Sequence, residues 1–406
     1  MKQRLTVFCD AVIYWSIIAV PFVISFSSAA VDIFIGFMVF AFLLKKIVNK
    51  DFTLVKTPIS LAFTLLIGLS LLSFINSVSI RASLQGIIKL LKYGFLIVII
   101  AGEIKNRKHF TRIIWAIFAG LLLASLDGIY QFIFGVDFFR HRPYDSMLGL
   151  VRLKAAFPHT NIFAGYLALV LPLAIPLLFY YFKGGKKIFL SIVTLLGFFC
   201  FIFTFCRSAA AGVWLALFLM GIIRKDKIII LLTVLALLIA PLFAPGAIKD
   251  WAKETHSLAN LLLNKERPVL YETSFNMIKH HPFVGVGVNT YVLNYQKYKL
   301  HDTSPETANT RWYAHNSYLQ MACEIGIAGL AVFFWLLFLL FSRWWSFYRN
   351  SKDDFLALCG LGMVMGLAAF LVHGLTETNL YYPKIAVLFW FQAALLMGVL
   401  CRRLSQ

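Results

Sequence analysis

Long apolar runs, each close to the length needed to cross a bilayer, recur along the whole chain with short polar breaks between them. A helix needs roughly 20 apolar residues to span a hydrocarbon core about 30 Å thick. Inside lipid its backbone groups must also be satisfied within the segment, which favours helices throughout. Twelve such runs are readable, near 11–27, 31–47, 57–75, 84–101, 112–134, 161–182, 187–205, 209–223, 227–244, 317–342, 355–375 and 384–401. The fourth is the least apolar, because Lys89 and Lys92 interrupt it. Across 406 residues, 60% are hydrophobic and 14% are charged, against about a quarter charged in a soluble domain. The expected fold is one all-α polytopic membrane domain over residues 1–406. Lys2 and Arg4 precede the first run with no small-residue cleavage site, so that helix is expected to be retained.

The formal charge of +20 points either to nucleic acid or to a membrane surface, and the placement of the charges decides. Basic residues cluster between runs at Lys45/Lys46/Lys50, Lys105/Arg107/Lys108/Arg112, Lys183/Lys186/Lys187, Arg224/Lys225/Lys227, Arg343/Arg349/Lys352 and Arg402/Arg403. Alternating twelve spans from a cytoplasmic start puts all these clusters and both termini on one side, the pattern of positive-inside loops. Membrane lipids, not nucleic acid, are the expected surroundings. The six cysteines have no CxxC or metal-ligand spacing and read as small packing residues.

The opposite side receives the longer loops, above all residues 245–316 between the ninth and tenth spans. A structureless loop of that length is uncommon in a compact domain. Apolar residues at helical spacing predict two amphipathic helices there, over Trp251–Leu263 and Pro268–Lys279, the second ended by His281-Pro282 and the following glycines. On this side lie Arg152, Arg207, Arg267, Arg311, His159, His315 and His373, a surplus of guanidinium and imidazole groups that the positive-inside rule does not explain. A guanidinium offers a planar fork of donors matched to phosphate oxygens, and at a membrane surface the corresponding ligand is a lipid-linked pyrophosphate. Arg267 precedes Pro268 at what reads as a helix start, where free N–H groups add to an anion site. Arg207 occupies a short turn between two spans, where a charge must face the interface or a cavity.

His315-Asn316 opens the tenth span, and Gly326 and Gly329 follow. Eleven residues is about three helical turns, so His315 and Gly326 are expected on nearly one face, with the two glycines admitting close packing of another helix. Asn316 or Ser317 is positioned to cap the helix. An imidazole at the surface is suited to accept a proton from a hydroxyl; the plainer reading is a histidine hydrogen-bonded at the interface. Glu324, about 13 Å into this helix, reads as structural and needs a partner. His373, Thr376 and Glu377 end the eleventh span and are candidates for the same cavity. No DxD pair stands in an outer loop to clamp Mg²⁺, and no P-loop, G-x-S-x-G or HExxH occurs. No metal or cofactor is therefore expected.

These residues resemble the O-antigen ligase and polymerase family of bacterial envelope enzymes. The resemblance rests on His315-Asn316, nine residues, then Gly326-x-x-Gly329; on RPVLYETSFNMIKHHPFVGVGVNTY from Arg267 to Tyr291; on RLKAAFPHTNIFAGYLALVLPL from Arg152 to Leu173; and on Cys206-Arg207-Ser208, where the family usually has Ser-Arg. It covers about Arg152 to Glu377. The chain departs from the family pattern at Ala155-Ala156-Phe157, at His159-Thr160 and at Tyr271, where tryptophan is common. The resemblance implies a metal-independent membrane glycosyltransferase with a GT-C-like helical fold, using an undecaprenyl pyrophosphate-linked glycan as donor and lipid A-core as acceptor, with inversion and on the periplasmic face of the inner membrane. Carried over, Arg207 and Arg267 bind the pyrophosphate, and His315 acts on the acceptor hydroxyl as base or orienting group. Arg152, Tyr271, His281, Asn316, Arg311 and His373 are then expected around the substrate cavity. The late loop and the His315–Gly329 pattern favour a ligase over a polymerase that extends the glycan on its carrier. A flippase that makes no bond is disfavoured, because transporters place their polar features nearer the bilayer midplane.

Overall fold

The computed structural model describes residues 1–239, 242, 246, 267–300 and 313–402. The expected helix Trp251–Leu263 and Arg311 lie outside them. The described chain is built from α1 (Lys2–Val23), α2 (Ser28–Asn49), α3 (Ser60–Leu72), α4 (Ile80–Glu103), α5 (Arg107–Phe134), α6 (Thr160–Tyr180), α7 (Gly184–Ile202), α8 (Arg207–Arg224), α9 (Lys227–Ile239), α10 (Arg267–His280), α11 (Tyr291–Tyr298), α12 (Ser317–Asn350), α13 (Asp354–His373) and α14 (Pro383–Arg402). Each of the twelve expected spans coincides with a helix. Among the described residues, nine helices are long and apolar enough to cross a membrane: α1, α4 to α8 and α12 to α14. Of the other three, α3 and α9 are shorter apolar helices, and α2 runs alongside α1.

Side-chain caps begin several of these helices: Ser27 on α2, Ser79 on α4, Asn106 on α5, Asn316 on α12 and Asp353 on α13 each accept from backbone N–H groups of the first turn. Each such cap is worth about 1 kcal/mol. Basic and acidic groups tie the helix ends together at one end of the bundle, through Lys45 to Glu103 at 2.8 Å, Lys105 to Asp10 at 2.7 Å and Arg107 to Asp353 at 3.3 Å.

At the centre, α6, α13 and α14 are almost wholly enclosed by protein, which is why their sequences are apolar all round with no polar stripe. The packing of α13 against α6 and α8 depends on missing side chains. A Cβ on Gly366 would stand 2.3 Å from Leu169 O, and one on Gly212 would stand 2.4 Å from Ala369 O. In lipid, where apolar surface alone does not drive helices together, such close approach is a main source of association. It also brings the starts of α6 and α8 beside the end of α13.

Two features depart from the sequence reading. A small hairpin pairs Asp145–Met147 with Leu150–Arg152 around a Leu148-Gly149 turn in which both residues have positive φ. The second is α12, which is not continuous. Gly326 has φ +75° and ψ 173°, and the helix breaks there. What approaches Gly326 is a loop, not the helix expected from the Gly-x-x-Gly spacing: a Cβ would lie 2.0 Å from Phe283 O. Val286 N and Gly287 N donate to the carbonyls of Cys323 and Glu324 that the break exposes, at 2.8 and 3.1 Å, and Ile327 N donates to Pro282 O at 2.8 Å. Gly329 faces Ile325 of its own helix across the kink. Gly326 therefore seats the 282–287 loop, and Gly329 leaves room for Ile325 beside the break. Replacing Gly326 by alanine is expected to cost about 3 kcal/mol or more, since both the φ/ψ pair and the space are closed to a side chain. A lowered thermal midpoint in detergent, with new proteolytic cleavage in residues 282–287, checks this.

Glu324 is buried and spends its carboxylate on that loop, accepting from Asn289 N at 2.6 Å and Tyr291 N at 3.3 Å, with Gln320 Nε2 at 3.3 Å. Its role is to hold the start of α11, in agreement with the structural reading.

Candidate functional site

Three helices begin at one cavity. Asn161 is the second residue of α6, Arg207 and Ser208 open α8, and Arg267 opens α10. All four line a small open cavity of about 70 Å³ together with Met147, Arg152, Phe205 and Cys206. The first N–H groups of a helix have no intrahelical acceptor, and the helix dipole places partial positive charge there. The cavity therefore combines three guanidiniums with three helix N-termini.

The arginines reach it from different parts of the chain. Arg152 ends the hairpin, and its fork is fixed by Thr204 O at 2.9 Å and Asn161 Oδ1 at 3.1 Å. Asn161 in turn donates from Nδ2 to Glu377 Oε1 at 2.6 Å. Arg267 Nη2 reaches the same oxygen at 3.0 Å, and His315 Nδ1 meets the other carboxylate oxygen at 3.2 Å. Glu377, 3% exposed, thus joins four elements: the hairpin through Asn161 and Arg152, α6, α10 and the start of α12. Burial pushes the Glu377 carboxyl up, but the His315 hydrogen bond and the positive field of its neighbours, Arg267 among them, outweigh it and hold the group below the ordinary carboxylate range.

Local backbone explains why His315 meets Glu377. Ser317 N donates to Gly374 O and Ser317 Oγ to Glu377 O, both at 2.8 Å, stitching the start of α12 to the loop after α13. Asn316 Oδ1 caps α12 by accepting from Tyr318 N and Leu319 N. His315 itself sits at φ +45°, a left-handed conformation that costs a residue with a Cβ about 1–2 kcal/mol. Such strain persists where the surroundings over-determine it, and functional sites are where it gathers. Tyr271 closes one flank, its hydroxyl donating to Leu375 O at 3.3 Å and lying 3.5 Å from His315 O.

A carboxylate only accepts, so the hydrogen shared with Glu377 belongs to His315 Nδ1, and in a neutral ring the lone pair then falls to Nε2. The arrangement can therefore hold a polyanion in the cavity and present a proton-accepting nitrogen beside it.

Of the residues singled out from sequence, Arg152, Arg207 and Arg267 share the cavity, and His315, Asn316 and Tyr271 adjoin it. His373 is fully buried beside Cys206, with Nε2 3.4 Å from its sulfur. His281 is not part of this group: its Nε2 pairs with Tyr298 OH of α11 at 2.8 Å, holding α10 to α11. From sequence, Glu377 is expected in the cavity only as one of three candidates at the end of the eleventh span, and Asn161 is not singled out. Their only local signal is a polar residue at the end of an apolar run.

The fold and the site define a multi-pass membrane protein with an arginine-lined cavity at one end of a helical bundle. Residues 192–334, about a third of the chain, match the family model described as O-antigen ligase. The matched segment holds Arg207, Arg267, His315, Gly326 and Gly329, while Arg152, Asn161, His373 and Glu377 lie outside it. No curated protein matches the chain at a significant level.

Proposed function

We propose that this protein is an O-antigen ligase, a metal-independent inverting glycosyltransferase that moves a glycan from undecaprenyl pyrophosphate to a sugar hydroxyl of lipid A-core. The supporting observation is the convergence of Arg152, Arg207 and Arg267 with three helix N-termini on one cavity, adjoined by the Glu377–His315 pair. In this reading the cavity opens to the periplasm of a bacterial inner membrane, and both termini and the basic clusters face the cytoplasm, as positive-inside loops require.

The acceptor hydroxyl oxygen attacks the anomeric carbon from the face opposite the diphosphate. The carbon–oxygen bond to phosphate breaks, and undecaprenyl pyrophosphate leaves with the electron pair. Arg207 and Arg267, with Arg152 behind them, neutralise the charge that develops on the leaving oxygens, as preorganised donors do. His315 Nε2 takes the hydroxyl proton, while Glu377 holds the ring in the required tautomer and steadies the imidazolium.

The purified protein, given lipid-linked glycan and core-bearing lipid A, is expected to place glycan on the core. Longer chains still on the carrier would instead make it a polymerase. Movement of lipid-linked sugar between leaflets without transfer would make it a transporter. His315→Ala is expected to lower kcat by about 10²–10⁴-fold, the range of general-base loss, while donor binding changes little; unchanged turnover would remove His315 from the chemistry. Because guanidiniums and helix ends supply the positive charge, EDTA is expected to leave the rate unchanged. Strong inhibition reversed by Mg²⁺ would overturn the metal-free mechanism.

A further inference from the structure

Five of the six cysteines suit the packing role expected from sequence: Cys9, Cys200, Cys323 and Cys359 are buried among helices, and Cys401 lies partly exposed near the end of α14. Cys206, also buried, has a different setting. It is part of the wall of the arginine-lined cavity. It immediately precedes α8, where a helix N-terminus favours a thiolate. Its sulfur stands 3.4 Å from Nε2 of His373 and 3.8 Å from Ser208 Oγ. His373 is fully buried, aims Nε2 at the thiol, and has no partner for Nδ1 among the described residues. The charged groups around the pair are Arg207 beside it, Arg267 from α10, Arg152 from the hairpin and Glu377 from the loop after α13. Burial pushes the Cys206 thiol up, but His373 outweighs it and holds the group below the ordinary cysteine value.

We propose that Cys206 is a covalent modification site for small anionic sulfur electrophiles, disulfides and thiosulfonates, which the cationic cavity draws in and holds against the thiol. The Cys206 proton passes to His373 Nε2. The sulfur attacks the sulfenyl sulfur of the electrophile, a new S–S bond forms, and a thiolate or sulfinate leaves with the electron pair of the broken bond. No further oxidant is needed. The adduct places its anion among Arg152, Arg207 and Arg267, where a diphosphate would otherwise sit. The inference rests on the cavity and the Cys–His pair, and stands whichever sugar-transfer reaction the protein performs.

The test uses the full chain in detergent at neutral pH. It is exposed in parallel to 2-sulfonatoethyl and 2-(trimethylammonio)ethyl methanethiosulfonate, with peptide mass mapping of every cysteine. Each rate is divided by the same reagent's rate with free cysteine. At Cys206 the normalised rate for the anionic reagent is expected to exceed that for the cationic one by about tenfold or more, as charge-lined clefts accelerate association. Inorganic pyrophosphate should slow the labelling of Cys206, and His373→Gln should slow it for both reagents. Cys401, beside Arg402 and Arg403, should be protected by pyrophosphate far less than Cys206. Equal or cation-favouring rates at Cys206, no protection by pyrophosphate, or labelling at Cys401 with none at Cys206 would overturn the proposal.

Discussion

Arg267→Lys is expected to lower glycan transfer by about 100-fold, and Arg267→Ala to leave less than about 1% of the wild-type rate. A hundredfold is about 2.7 kcal/mol of transition-state stabilisation, which is the usual cost of one preorganised donor to a developing oxyanion. Lysine keeps the charge but not the fork. Arg267 Nη2 is committed to Glu377 at 3.0 Å, and the rest of the guanidinium is what remains for a phosphate oxygen. A single ammonium cannot serve both partners in that geometry. Helix N-termini and two other arginines remain, so the donor KM should move much less than kcat. Initial rates over a range of donor concentrations check this; a raised KM with unchanged kcat would reassign Arg267 to ground-state binding.

Glu377→Gln is expected to lower kcat by about 10²-fold and also to destabilise the fold. The carboxylate is buried between Arg267 and His315. An amide presents one oxygen and one N–H₂ to partners that both need an acceptor, so one of them is left facing a donor. With Nδ1 of His315 no longer bound to a carboxylate, the ring can adopt the other tautomer, and Nε2 ceases to be the base. The pH dependence has a definite sign. Glu377 has its folded pKa depressed, so its contribution to stability is fully present above the unfolded value of about 4.3. It is lost as pH falls through the lower folded value. Wild type should thus lose stability on acidification below about pH 4 more steeply than Glu377→Gln, as thermal midpoints measured across pH 3–6 would record. Parallel curves would mean that the ion pairs contribute nothing.

The helices were legible because lipid leaves the backbone no alternative, and the length of an apolar run is set by bilayer thickness. Arg152, Arg207, Arg267 and His315 were legible for a related reason: each is a polar group where the charge pattern of the loops forbids one without cause. The rest depends on contacts between distant segments. Asn161 and Glu377 are 216 residues apart, and neither has a neighbour in sequence that betrays the pairing. The Gly-x-x-Gly motif misled for a physical reason. Small residues at that spacing do let another backbone approach, but the approaching backbone is the turn at 282–287, packed where the helix breaks. His281 was drawn into the site by its motif, and its ring was instead used to join α10 to α11. The hairpin at 145–152 has strands of three residues, too short for alternation to register.

The convergence of α6, α8 and α10 on one cavity has a consequence for how such a site tolerates change. Part of its attraction for anions belongs to main-chain amides, and no side-chain substitution removes those. Natural drift at the guanidinium positions can therefore retune which anion is held, and how it is oriented, without emptying the cavity of positive potential. To abolish its polarity altogether, all three helices would have to start somewhere else.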